Sequence, residues 1–247
     1  MPSTLALGAP PSLAALLAEE RIALFLDFDG TLVELAPGPD AISPMPGLSG
    51  RLLTLAERLE GCCAVVSGRA IDDIERHVGR LKVAIAGSHG SEIRTASGEA
   101  LGAGATSLPS EIETALRAFA DEHGVDYEHK AHGGALHYRS NPAQGERAVA
   151  FATSLAQEHG WKAQGGKCVI EILAGTSDKG SAVRTFMASP TFKASRPIFI
   201  GDDLTDEAGF AACEELGGIG ILVGEREETG AHYRLPDVQS VHTWLGI

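Results

Sequence analysis

The chain has 247 residues, 44% hydrophobic and 21% charged, a composition that fits a folded globular protein and argues against a disordered one. Its formal net charge of −13, from 33 acidic and 20 basic residues, argues against nucleic acid and anionic membrane as partners. The same field repels a small phosphate ester, so an enzyme acting on one needs a metal ion and a local group of cations.

Residues 12–20 read as a short amphipathic helix and not a signal peptide, because no basic segment precedes them and Glu19-Glu20-Arg21 closes the run. No apolar stretch is long enough for a transmembrane helix. The cysteines Cys62, Cys63, Cys168 and Cys213 form no C-x-x-C pair, so buried free thiols and a cytoplasmic location are expected.

Residues 22–27 form a continuous apolar run ending in Asp27, the pattern of a strand buried on both faces. Leu48, Leu52, Leu55 and Leu59 follow at helical spacing. Residues 62–66 then read as a strand, 70–78 as a helix and 82–86 as a third strand. This alternation predicts a parallel sheet of right-handed crossover units.

The rhythm changes after about residue 105. A helix over 109–123 precedes two alternating strands, 125–130 and 135–139, and a helix over 146–159 precedes two more strands within 161–173. That pattern predicts a small antiparallel sheet with one solvated face, backed by two helices. From residue 177 the first rhythm returns: helix 179–188, strand 197–200, helix 206–216, strand 218–223. The expected architecture is an α/β core over 1–104 and 176–247 with a smaller α+β domain inserted at 105–175.

Asp27 and Asp29 end the first strand, where parallel sheets place their ligand crevices, and Gly30 lets the chain turn away. Two carboxylates so close call for a cation or a shared proton, and Mg²⁺ suits oxygen ligands, although Asp29-Gly30 taken alone also fits a surface turn. Gly201-Asp202-Asp203-Leu204-Thr205-Asp206 ends a second buried strand and brings more carboxylates to the same edge. Ser67, in Ser67-Gly68-Arg69, precedes a helix and can offer its hydroxyl to an anion, or simply cap that helix. Lys179 opens a helix, where the dipole disfavours a cation, so it either faces a negative group or is simply an exposed lysine.

Taken in order, D-x-D-G-T, Ser67, Lys179 and G-D-D-x-x-D resemble the haloacid dehalogenase-like hydrolases. The resemblance implies a Rossmann-like core with a cap domain, and the catalytic residues Asp27, Asp29, Ser67 and Lys179. Asp27 would attack phosphorus and Asp29 would act as acid and then base, while Ser67 and Lys179 hold the phosphoryl oxygens. Mg²⁺ would be bound by Asp27, Asp202 and the backbone carbonyl of Asp29, with Asp203 and Asp206 in support.

A narrower resemblance, to the trehalose-6-phosphate phosphatases, rests on residues 87–94, Glu128-His129-Lys130, residues 135–139 and residues 166–172. It implies a small-molecule sugar phosphate as partner and a cap that closes over the sugar. Glu128, Lys130 and Glu171 would hydrogen-bond its hydroxyls, and Arg69, His89, His137 and Arg139 would be further members of the pocket. Leu173-Ala174 departs from the Arg-Pro of that family. Another sugar ester on the same core is the rival reading. His123, His129, His132 and His137 match no common zinc spacing. Gly102, Gly104 and Gly175 are candidate hinge residues, and no segment points to an oligomeric state.

Overall fold

The structure, a computed structural model, describes residues 7–36, 41–102, 107–130, 133–166, 168–173 and 177–247. Gly104, His132, Lys167, Ala174 and Gly175 lie outside the described residues. In chain order the elements begin with α1 (Leu13–Glu19), β1 (Ile22–Leu26), α2 (Leu48–Arg58), β2 (Cys63–Val66), α3 (Ile71–Val78), β3 (Ala84–Gly87) and β4 (Glu92–Arg94). There follow α4 (Ser110–His123), β5 (Asp126–Lys130), β6 (Gly133–His137), α5 (Gly145–Glu158), β7 (Lys162–Gly166) and β8 (Val169–Leu173). The chain closes with α6 (Lys179–Ala188), β9 (Arg196–Gly201), α7 (Glu207–Glu215), β10 (Ile219–Val223), β11 (Tyr233–Leu235) and α8 (Val238–Leu245).

The contacts divide the chain into two compact units, Met1–Gly102 with Asp178–Ile247, and Ala103–Ser177. In the first, the strands run in the order β11-β10-β9-β1-β2-β3-β4, parallel throughout except for the last pair. β1 and β2 are buried at every position, which is why their sequences are continuous apolar runs. Phe25 of β1 packs against Phe186 of α6 and Phe192, with ring centroids 5.9 and 5.6 Å away, and clamps α6 to the centre of the sheet. Each such pair adds about 1 kcal/mol beyond its area term. α6 starts on a firm footing: Asp178 caps it, its carboxylate accepting from Ser181 N–H at 2.6 Å, a contact worth about 1 kcal/mol.

Three elements were not expected from the sequence: β4, β11 and α8. The two strands are three residues long and mix apolar with charged side chains, Glu92-Ile93-Arg94 and Tyr233-Arg234-Leu235, so neither shows an apolar run. α8 buries Val238, Val241, His242 and Leu245, a helical spacing that was legible in the chain. Its His242 Nε2–H donates to the Leu32 carbonyl at 2.9 Å and steadies the turn that follows Asp29.

The second unit is a four-stranded antiparallel sheet, β5-β6-β8-β7, with α4 and α5 packed on one face through Ile112, Leu116, Leu136, Ala148, Ala152 and Ile170. β6 departs from the expected alternation, because Gly133, Gly134, Ala135 and Leu136 are all buried. It is a central strand that opens on three small residues, and Ala135 lies in register between Glu128 and Glu171. Among the described residues, no helix is long and apolar enough to cross a membrane.

Candidate active site

The backbone ladder between β1 and β9 continues one residue past β1, with Asp27 N–H donating to the Ile200 carbonyl at 2.9 Å. Asp27 is thereby delivered to the edge of the sheet beside Asp202. Gly30 has φ +75°, and a Cβ there would meet Asp202 Oδ2 at 2.1 Å. Only glycine lets the Asp29–Val33 turn and the Asp202 carboxylate occupy the same corner. Gly201 serves the second motif in the same way, since a Cβ would lie 2.2 Å from Asp206 Cγ.

Asp27, Asp202 and Asp206 each place a carboxylate oxygen within 4.8 Å of the others. Lys179, 3% exposed, stands among them, its Nζ donating to Asp27 Oδ1 and Asp206 Oδ1 at 2.6 Å each. The other Asp206 oxygen accepts from Asp203 N–H at 2.9 Å. Asp203 is itself exposed and caps the turn over Leu204–Asp206, so it acts here by fixing Asp206.

Three carboxylates against one ammonium leave a surplus of two negative charges. Burial raises Asp27 well above the ordinary carboxylate range, against the pull of Lys179 and with added repulsion from Asp206 and Asp202. Burial, reinforced by Asp206, pushes Asp202 up to about 6, and burial also raises Asp206 despite Lys179. Burial works against the charge on Lys179, yet Asp27 and Asp206 outweigh it and its pKa is raised. The common cause is the excess of negative charge in a desolvated corner.

Ser67 extends the ladder of β2 in the same manner, its N–H donating to the Ala86 carbonyl at 2.8 Å, and its Oγ accepts from Arg69 N–H at 3.1 Å. The loop after β3 is stitched to it: Ser88 N–H donates to Arg69 O at 2.7 Å and His89 N–H to Ser67 O at 3.0 Å. To reach those carbonyls Ser88 and His89 adopt φ +47° and +55°, strained values for non-glycine residues and a mark of functional loops. Arg69 grips Asp29 with both edges of its fork, Nε to Oδ2 at 2.6 Å and Nη2 to Oδ1 at 2.8 Å. These residues line a cleft of ≈ 690 Å³ that includes Asp27, Ser67, Arg69, His89, Lys179 and Asp202.

In the second unit, Glu128, Ala135, Glu171 and Gln164 form one row across the sheet. Lys130 Nζ pairs with Glu171 Oε1 and lies 3.9 Å from Glu128 Oε2, which also meets His137 Nε2 at 2.7 Å. Arg139 lies in the exposed bend after β6, outside this group of contacts. Of the histidines described, His129 lies 3.4 Å from Glu113 whereas His137 meets Glu128 at 2.7 Å, so these two have different partners.

A sequence model of the trehalose-phosphatases matches residues 25–239, which include every side chain of both groups. The chain belongs to the trehalose-phosphatase family. The family is one of phosphatases, so the chain is an enzyme of that kind. It is 34% identical to the trehalose-6-phosphate phosphatase of Escherichia coli (strain K12) over 231 residues, 91% of this chain and 85% of that one. The solved C-terminal domain of C. albicans trehalose-6-phosphate phosphatase shares its fold, with TM-score 0.72 and 22% identity over 99% of this chain and 100% of that one. A haloacid dehalogenase-like hydrolase from B. subtilis aligns with TM-score 0.63 at 12% identity over 91% and 98% of the two chains, which confirms the expected core architecture.

Asp73, which lines the same cleft and pairs with Arg69 at 2.8 Å, was not expected from the sequence: Arg69 precedes α3, so no helical spacing marks the pair. Asp206, expected in support of the metal ligands, has its carboxylate in the cluster with Asp27 and Asp202.

Proposed function

We propose that this trehalose-phosphatase hydrolyses trehalose 6-phosphate through an aspartyl-phosphate on Asp27, with Mg²⁺ as cofactor. The observation that carries the reading is the buried Lys179 ammonium, 2.6 Å from both Asp27 and Asp206 at the edge of a parallel sheet. The substrate comes from the names of the relatives and from the polar row on the second sheet.

The donor set fits a hard dication, because the corner holds oxygen ligands and two negative charges in surplus. Asp27, Asp202 and the backbone carbonyl of Asp29 would hold it, with Asp203 and Asp206 behind them. A bound Mg²⁺ would supply the positive charge that offsets this surplus and the phosphoryl oxygens.

Lys179 and Ser67 hold phosphoryl oxygens by hydrogen bonds that strengthen as charge develops. An oxygen of Asp27 attacks phosphorus, and the phosphorus–oxygen ester bond breaks with its electron pair leaving on the sugar oxygen. Asp29, entering the step protonated on the oxygen it turns from the Arg69 fork toward the leaving group, gives that oxygen its proton. Asp29 then takes a proton from water, whose oxygen attacks phosphorus, and the bond to Asp27 breaks to release phosphate and restore the carboxylate.

Glu128, Lys130 and Glu171 take sugar hydroxyls, with His137 paired to Glu128 in the same group; Arg139, in the exposed bend after β6, and His89 and Arg69 are further candidate substrate contacts. The ion pairs of the second sheet involve side chains 24–50% exposed, so they contribute only about 0–1 kcal/mol each to stability. Polar groups that are this weakly committed suit exchange with a ligand rich in hydroxyls, and a wrong sugar leaves them unpaired.

The test is a phosphate-release assay on trehalose 6-phosphate, glucose 6-phosphate and a sucrose ester, with and without EDTA. Turnover fastest on trehalose 6-phosphate and lost in EDTA is expected. Equal rates on glucose 6-phosphate would remove the substrate assignment, and faster turnover of another ester would transfer it. Lys130→Ala is expected to lower kcat/KM on the disaccharide ester about 10- to 100-fold, a loss of about 1.4–2.7 kcal/mol, with little change on p-nitrophenyl phosphate. Equal losses on both esters would take Lys130 out of the sugar site.

A further inference from the structure

Arg69 is held at two sides. Its Nε and Nη2 donate to Asp29, and its Nη1 donates to Asp73 Oδ2 at 2.8 Å. The guanidinium side chain is 14% exposed, so both pairs are screened less than surface pairs are. Asp73 stands in the first turn of α3. Its other oxygen accepts from Arg76 Nη1 at 2.7 Å, and His77 Nε2 lies 3.9 Å from it. A guanidinium is planar and rigid, so anchoring Nη1 also sets the direction in which Nε and Nη2 point.

We infer that Asp73 is a positioning residue for the reaction: it anchors the Arg69 fork and thereby orients the Asp29 carboxylate in the cleft. The inference rests on the proposed acid–base role of Asp29. Asp73 acts through Arg69 and not on the reacting atoms. Without it, the Nη1 edge of Arg69 loses this carboxylate, the fork shifts, and the Asp29 carboxylate it grips turns with it. The consequence is selective. An alkyl ester needs a proton on its leaving oxygen, whereas an aryl ester with an acidic phenol departs without one.

The experiment compares Asp73→Ala and Asp73→Glu with the wild-type chain on trehalose 6-phosphate or glucose 6-phosphate, and on p-nitrophenyl phosphate in single turnover. Asp73→Ala is expected to lower kcat on the alkyl ester about 10- to 100-fold with KM little changed. First-turnover release of p-nitrophenol should fall far less, and Asp73→Glu should recover most of the alkyl rate. An NMR readout is independent of turnover: the Arg69 Nε–H resonance, protected in the wild type, should broaden or exchange in Asp73→Ala and persist in Asp73→Glu. Equal losses on both esters, a change confined to KM, or an unaltered Nε–H resonance in Asp73→Ala would overturn the inference. Failure of the wild type to hydrolyse any ester would instead sink the proposed function, and the Nε–H comparison would still decide whether Asp73 anchors Arg69.

Discussion

Asp27→Asn is expected to reduce phosphate release by at least about 10⁴-fold while leaving the fold intact. An amide oxygen carries no negative charge to attack phosphorus, and no neighbouring group can make it a comparable nucleophile. The fold survives because the substitution is isosteric and the amide Oδ1 can still accept from Lys179 Nζ, now 2.6 Å from that position. One carboxylate fewer also relieves the desolvated cluster, in which burial already raises Asp27. The melting temperature of the metal-free variant should therefore equal or exceed that of the wild type. Thermal unfolding and a phosphate-release assay check both halves. Residual turnover above about one part in a hundred would mean that a different group attacks phosphorus.

Lys179→Met has the opposite effect on stability and a similar one on turnover. The methionine fills nearly the same volume but leaves Asp27, Asp202 and Asp206 with no buried cation. Removing one partner of such a pair costs about 3–5 kcal/mol at neutral pH, because the remaining charges stay desolvated. Losing a preorganised donor to the phosphoryl group lowers kcat by a further factor of about 10²–10³.

The pH dependence of this loss follows from the direction of the shifts. Folded Asp202 holds its proton up to about 6, against the ordinary 3.8. Between those values the folded chain binds more protons than the unfolded one, so this group's contribution to stability falls as pH rises through them. Without the ammonium the carboxylates hold their protons to still higher pH, and the window moves upward. Denaturant unfolding of metal-free protein should show the variant closest to wild type near about pH 5 and furthest from it near about pH 7.5. A difference that does not change with pH would refute the electrostatic account of Lys179.

Much of this arrangement was legible in the residues. Continuous apolar runs at residues 22–27 and 62–66 announced strands buried on both faces, and β1 and β2 are buried throughout. Leu48, Leu52 and Leu55 announced the buried face of α2. The short mixed strands β4 and β11 carried no such signal, since pairing with a neighbouring strand and not a hydrophobic pattern makes them strands. In β6 the alternation failed because a side chain's burial depends on its neighbours in the sheet. Ala135 is covered where it lies between Glu128 and Glu171, which a local period of two does not encode.

The opening pair of carboxylates shows where sequence ends and structure begins. By itself the sequence determined that Asp27 and Asp29 stand at the end of a buried strand, that Asp202, Asp203 and Asp206 end another, and that the chain is similar to sugar-phosphate phosphatases. Strand-end position is a local property, read from where an apolar run stops. Only the tertiary structure decided which cation each carboxylate meets. Lys179, 152 residues from Asp27, binds Asp27 and Asp206, whereas Arg69, 40 residues from Asp29, grips Asp29 and is held in turn by Asp73. Those partnerships depend on strand order and on the register of β1 with β9 and β2, which bring distant segments together without leaving a mark in either segment alone.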